Sequence, residues 1–155
     1  MSTITLFLKF KDKAEEAANF YVSIFKNSKI MSITPGLDGK VMLVKFQLNG
    51  QEFTGLNCGT KYTFTRAISF VVNVDTQQEI DELWEKLGEG GEEGKYGWLR
   101  DQYGLSWQII PSILEQWMSD DDPEKPQRVM AAVETMNKID IETLRKAYEG
   151  EIQGG

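Results

Sequence analysis

Ile4, Leu6, Leu8 and Phe10 alternate with Thr5, Phe7 and Lys9, and this period of two puts the aliphatic set on one face of a strand. From Asp12 the period changes. Ala14, Ala17, Ala18, Tyr21, Ile24 and Phe25 recur at helical spacing and Asn27-Ser28 supplies a stop, which predicts a helix of about four turns packed on that strand. Three extended stretches follow, Lys29 to Thr34, Lys40 to Leu48 and Gln51 to Asn57. They are separated by Pro35-Gly-Leu-Asp-Gly39 and by Asn49-Gly50, a two-residue hairpin signal.

The second half repeats this order. Ala67 to Val74 reads as an apolar strand, Thr76-Gln-Gln-Glu79 as a capping box, and Ile80, Leu83, Trp84 and Leu87 as the buried stripe of a helix ended by Gly88. Gly90 to Lys95, Tyr96 to Asp101 and Leu105 to Pro111 supply three more extended pieces, with Gln102-Tyr-Gly104 as the last turn. The expected fold class is α+β: two tandem βαβββ modules, 1–60 and 61–111, forming a curved mixed sheet with a cleft. Residues 112–155 read as a C-terminal helical extension within one overall domain, with helices at Ser112 to Met118, from Pro123 onward and after Asp140, and a tail frayed from Gly150.

Composition narrows the chemistry more than the fold. Among 155 residues there is no histidine, which removes the commonest general base and the commonest transition-metal ligand together. Serine-histidine and cysteine-histidine catalysis are excluded with it. The single cysteine, Cys58, excludes an internal disulfide framework and a cysteine-rich zinc site, and a reducing cytoplasmic location is the expectation. A net charge of -7 repels duplex nucleic acid, and within residues 112–155 ten acidic side chains face five basic ones. No signal peptide or membrane anchor is expected, because Lys9 and Lys11 interrupt the only apolar start.

Two βαβββ modules in tandem resemble the vicinal oxygen chelate superfamily of glyoxalase I, extradiol dioxygenases and bleomycin-resistance proteins. Ala14-Glu-Glu-Ala-Ala-Asn-Phe-Tyr21, Ala67-Ile-Ser-Phe70, Gly97-Trp-Leu-Arg-Asp101 and Gly104-Leu-Ser-Trp-Gln-Ile-Ile-Pro111 are similar to its PhnB-like branch. Members of that branch often carry the label 3-demethylubiquinone-9 3-methyltransferase. The resemblance implies four metal ligands on inner strands, and these positions fall on Thr5, Ser69, Gln108 and a residue of the strand Phe53 to Asn57. Thr5, Ser69 and Gln108 are neutral oxygen donors that would not repay a divalent ion for its lost hydration. No metal and no cofactor is therefore expected. What the resemblance leaves is a ligand cleft lined by Thr5, Phe7, Asn57, Ser69, Tyr96, Trp98 and Gln108. The branch frequently has a cysteine where this chain has Tyr96, so thiol chemistry is not carried over.

Each of these residues also has a purely structural reading. Trp84 and Trp107 fall on apolar stripes and read as core, whereas Trp98 is open to either role. Gln108 among apolar neighbours needs a partner, whether a ligand, a water or Ser69, and Asn57 could equally satisfy the turn into Cys58-Gly59. Cys58 reads as buried and inert. Gly88-Glu-Gly-Gly-Glu-Glu-Gly94 follows a helix and carries three carboxylates, so it reads as a connection and not a phosphate loop. Lys61-Tyr-Thr-Phe-Thr-Arg66 reads as a linker packed on the cleft, and Asp120-Asp-Asp122 as a solvated helix start. The functional expectation is a metal-free homodimer that binds a small amphipathic or aromatic molecule, with no nucleic-acid or membrane partner. The alternatives are a metal-independent isomerase, lyase or transferase using Tyr96, Tyr62 or Glu52, and a drug-sequestering resistance protein.

Overall fold

The computed structural model describes residues 2–59 and 61–151. Met1, Thr60 and residues 152–155, which hold most of the tail expected to fray, lie outside the described residues. By contact the chain divides between Thr63 and Phe64 into two compact units.

The first unit runs β1 (Leu6–Phe10), α1 (Ala14–Ile24), β2 (Lys29–Pro35), β3 (Val41–Leu48) and β4 (Gln51–Asn57). Its four strands lie in the order β1-β4-β3-β2, with β1 parallel to β4 and the other pairs antiparallel. The β3–β4 hairpin turns at Asn49 and Gly50, whose φ angles of 45° and 90° match the turn handedness that follows strand twist. Leu8, Phe10, Val44 and Phe46 are buried on the face that α1 covers, where Ala14, Ala17 and Ala18 let the helix approach closely. Rings of Phe46 and Phe53 stack at 5.2 Å, and Tyr21 stacks on Phe46 at 6.3 Å.

The second unit repeats the plan with β5 (Ser69–Val74), α2 (Gln77–Gly88), β6 (Glu92–Glu93), β7 (Trp98–Arg100) and β8 (Ser106–Pro111), in the order β5-β8-β7-β6. The two tandem modules expected from the periodicity are therefore present. Several boundaries differ: the piece expected from Tyr96 to Asp101 is a strand only over Trp98–Arg100, because Tyr96 and Gly97 take the positive φ of a turn, and the last strand begins at Ser106. Only Glu92 and Glu93 of the extended piece Gly90 to Lys95 form a strand, because Gly91 N closes a turn onto Gly88 O at 3.0 Å on one side and Lys95 O opens the turn to Trp98 on the other. The strand expected from Ala67 begins at Ser69, since Thr65 to Ile68 is a turn in which the Thr65 hydroxyl accepts from Ala67 N at 3.2 Å.

Three helices follow: α3 (Ile113–Met118), α4 (Glu124–Val133) and α5 (Ile141–Glu149). They belong to the second unit. Gln77, at the start of α2, donates to the Ile139 carbonyl at 3.0 Å and accepts from Ile141 N at 2.8 Å, and Lys138 pairs with Asp81 at 2.8 Å. Val129, Ile139 and Leu144 have no exposed surface, so this attachment has an apolar core of its own. Thr76 and Asp140 cap α2 and α5 by accepting from the N–H three residues on, at 3.2 Å and 2.9 Å. Among the described residues no helix is long and apolar enough to cross a membrane.

Candidate functional site

In the second unit α2 covers one face of the sheet and buries Leu99, Trp107 and Ile109. The alternation then turns Ser69, Val71, Trp98, Ser106 and Gln108 to the other face. Gln108 lies opposite Trp98 on β7 and Val71 on β5, and its amide donates to the Ser69 hydroxyl at 2.9 Å. Both side chains keep unused capacity: the Gln108 carbonyl oxygen, its second N–H and the Ser69 proton bond to no described residue.

Trp98, the cross-strand partner of Gln108, is one wall of a recess of about 570 Å³ lined also by Arg66, Glu93, Gly94, Lys95 and Tyr96. Its floor is a tight turn. Trp98 N donates to Lys95 O at 3.1 Å, and Tyr96 and Gly97 both take positive φ, 64° and 83°, as a primed hairpin turn requires. Tyrosine is an unusual residue for that conformation, and the reason it persists lies outside the turn. Tyr96 N donates to Met136 O at 2.9 Å and Gly97 N to Asn137 O at 2.7 Å, so the connection between α4 and α5 holds both free donors of the turn. The C-terminal helices thus fix the wall of the recess, and the Tyr96 ring is left 43% exposed beside half-buried Trp98.

Asp101 organises the hairpin beyond β7. It is 2% exposed, accepts from Tyr103 N at 2.8 Å and Leu105 N at 3.1 Å through one oxygen, and from the Trp107 indole at 2.8 Å through the other. The Gly97-Trp-Leu-Arg-Asp101 motif is therefore a framework that holds Trp98 and Gln108 opposite each other. Trp84 is also core, 7% exposed, with its indole donating to Glu93 at 3.0 Å.

The remaining candidates lie in the first unit. Thr5 and Phe7 share the sheet face away from α1. Thr5 is exposed and donates to Glu52 at 3.4 Å, while Phe7 is 55% exposed. Asn57 is on the opposite, helix-facing side. Its side chain accepts from Ala14 N at 2.8 Å and donates to Val41 O at 3.2 Å, which makes it the cap of α1 supplied from 43 residues away. Cys58 is exposed, a correction to the expected buried thiol. Cys58 N and Gly59 N still bond to Phe10 O and Lys11 O at 3.0 Å each, so the thiol sits at the end of the β1–β4 pairing, where Sγ reaches Phe10 O at 3.9 Å and no helix covers it. A larger surface hollow of about 820 Å³ lies between the β2–β3 turn and the start of α1. Charged side chains dominate it, Lys13 being paired with Glu16 and Asp38 accepting from Lys40 N, and no aromatic ring lines it. The second-unit recess is therefore the better candidate site.

Sequence reasoning passed over Arg66. The sequence places it only at the end of a linker packed on the cleft, and the one signal for it is its position one residue after Thr65 in a turn leading into β5. The metal positions implied by the superfamily hold Thr5, Ser69 and Gln108. Ser69 and Gln108 bond to each other, and the carboxylate beside Thr5 is Glu52. Among the described residues no group of three His, Cys, Asp or Glu comes together to hold an ion. This donor set does not fit a divalent metal.

Two sheets in tandem, of order β1-β4-β3-β2 and β5-β8-β7-β6, each with one helix between its first two strands in the chain, define a vicinal oxygen chelate fold. Within it, the chain belongs to the 3-demethylubiquinone-9 3-methyltransferase family, whose model matches residues 2–110. A PhnB protein from Bacillus cereus is 38% identical, over 72% of this chain and 100% of that one, with a TM-score of 0.67. A Pseudomonas aeruginosa protein at 18% identity (72% and 98% coverage, TM-score 0.58) shares the fold. So does a variant of the fosfomycin resistance protein FosX from Listeria monocytogenes at 16% identity (74% and 95%, TM-score 0.56), whose structure contains Mn(II) and a dihydroxypropylphosphonic acid. No curated protein matches the chain. Helices α3 to α5 lie beyond the family match. The family's name is not supported by a nucleotide-type cofactor site here: neither β1–α1 nor β5–α2 is joined by a glycine-rich turn.

Proposed function

We propose that the protein binds a small amphipathic or aromatic molecule in the second-unit recess, using its own side chains and no resident metal. The observation that carries this reading is the juxtaposition of a partly exposed aromatic pair, Tyr96 and Trp98, with the incompletely used Gln108–Ser69 hydrogen bond one strand away. An apolar ring surface flanked by a few oriented polar groups is the usual make-up of a ligand pocket. The rigid turn beneath Tyr96 supports it, because a preformed wall loses little entropy on binding. The protein acts as a homodimer in this reading, and the exposed Met31, Ile33 and Met42 at the β2 side of the first unit supply apolar surface for pairing.

The test is a fragment screen monitored by the indole N–H signals of the four tryptophans, with Trp98→Phe identifying its own signal. Ring-bearing fragments should shift Trp98 and leave Trp84 and Trp107, whose indoles are already bonded, in place. Fragments that bind without shifting Trp98 would refute the site. Metal analysis of protein purified without chelator should give no stoichiometric transition metal, and one that is lost in Gln108→Ala would overturn the metal-free reading. Light scattering at micromolar concentration should give the mass of a dimer.

A further inference from the structure

We propose that the ligand of the recess is a small aromatic carboxylate, its anionic group held by Arg66 and its ring by Trp98 and Tyr96. This rests on the reading of the recess as a ligand site and names the chemistry that site selects. Arg66 stands at the tip of the Thr65–Ile68 turn, which is fixed by Ala67 N donating to the Thr65 hydroxyl. It lines both the 570 Å³ recess and a small hollow of about 20 Å³ that reaches inward to Ser106.

The charges around it do not cancel. Arg100 is neutralised by Glu92 at 2.9 Å, and Glu93 accepts the Trp84 indole at 3.0 Å, whereas neither Arg66 nor Lys95 forms an ion pair with a described residue. Two free cations against one carboxylate leave a local excess of a single positive charge, in a chain whose net charge is -7. A cationic ligand would meet Arg66 and Lys95 with only the engaged Glu93 to answer it. A neutral ring would leave the guanidinium unused. A monoanion satisfies the excess, and the planar fork of arginine matches a carboxylate with two parallel bonds. The ring requirement comes from Trp98 and Tyr96 on the same recess.

The probes are benzoate, benzamide, benzamidinium and phenyl phosphate, titrated at low salt into the intact protein and read at the Trp98 indole. Benzoate should bind about fivefold or more tightly than benzamide, in keeping with one arginine–carboxylate pair at a half-exposed site, and benzamidinium weakest. Arg66→Gln should bring benzoate down to the level of benzamide measured in the same variant, and Arg66→Lys should fall between. The benzoate preference should shrink in strong salt. Benzamide or benzamidinium matching benzoate, or Arg66→Gln leaving benzoate unchanged, would overturn the proposal while leaving the site itself standing. Phenyl phosphate binding best would overturn the carboxylate in favour of a dianion. If no probe of any charge moves Trp98, the binding site and this inference fail together.

Discussion

Replacing Gly97 by alanine tests whether the floor of the recess is as constrained as its geometry implies. Gly97 has φ +83°, and an added Cβ would lie 3.0 Å from the Ile109 carbonyl oxygen, from Ile110 Cδ1 and from Ile139 Cγ1. The backbone cannot drift to relieve this, because Gly97 N is bonded to Asn137 O at 2.7 Å and its carbonyl accepts from Ile109 N at 2.8 Å. The left-handed conformation costs an L-residue about 1–2 kcal/mol, and overpacking adds about 1–3 kcal/mol, for a total of about 2–5 kcal/mol. Gly104 is the control: its φ is +93° but its nearest neighbour would be Phe64 Cδ2 at an ordinary 3.9 Å, which leaves only the conformational cost of about 1–2 kcal/mol. Trp84, Trp98, Trp107 and Trp117 all lie in the second unit, so tryptophan fluorescence during urea unfolding reports on this unit alone. With a urea slope of about 2 kcal/mol/M, the midpoint should fall by about 1–2.5 M in Gly97→Ala and by about 0.5–1 M in Gly104→Ala. Equal midpoints in the two variants would refute the crowding argument and release the turn from its assigned rigidity.

Asn57→Ala removes both the α1 cap and the bond to Val41 O, and should destabilise the first unit by about 1–2 kcal/mol, measured by far-ultraviolet dichroism during unfolding; an unchanged midpoint would deny the long-range cap. The Tyr148 hydroxyl donates to Asp120, holding that carboxyl below its usual value and pushing the phenol above its own. The depressed Asp120 adds stability that is present above about pH 4 and lost as pH falls through its folded value. The raised Tyr148 adds stability that is present below about pH 10 and lost as pH rises through its folded value. Melting temperature against pH should therefore have shallower acid and alkaline limbs in Tyr148→Phe, and superimposable profiles would contradict the pairing.

The elements, their order and the faces they bury can be read from residue spacing, because those depend on residues a few positions apart. Alternation from Ile4 to Phe10 identifies the buried Leu8 and Phe10, Asn49-Gly50 places the hairpin, and Thr76 and Gly88 bracket α2. Repetition of that order in Ala67 to Pro111 is enough to predict two modules, and Trp84 and Trp107 fall in the core as their spacing requires. The partners of individual side chains emerge only when the chain closes on itself. Asn57 caps a helix 43 residues earlier, Met136 and Asn137 fasten a turn at Tyr96 and Gly97, and Arg66 lines a recess with Trp98. Local periodicity specifies only that a side chain faces the sheet or the solvent. Which donor meets which acceptor depends on how distant segments close on one another, and an exposed arginine or cysteine has no period to announce its neighbours.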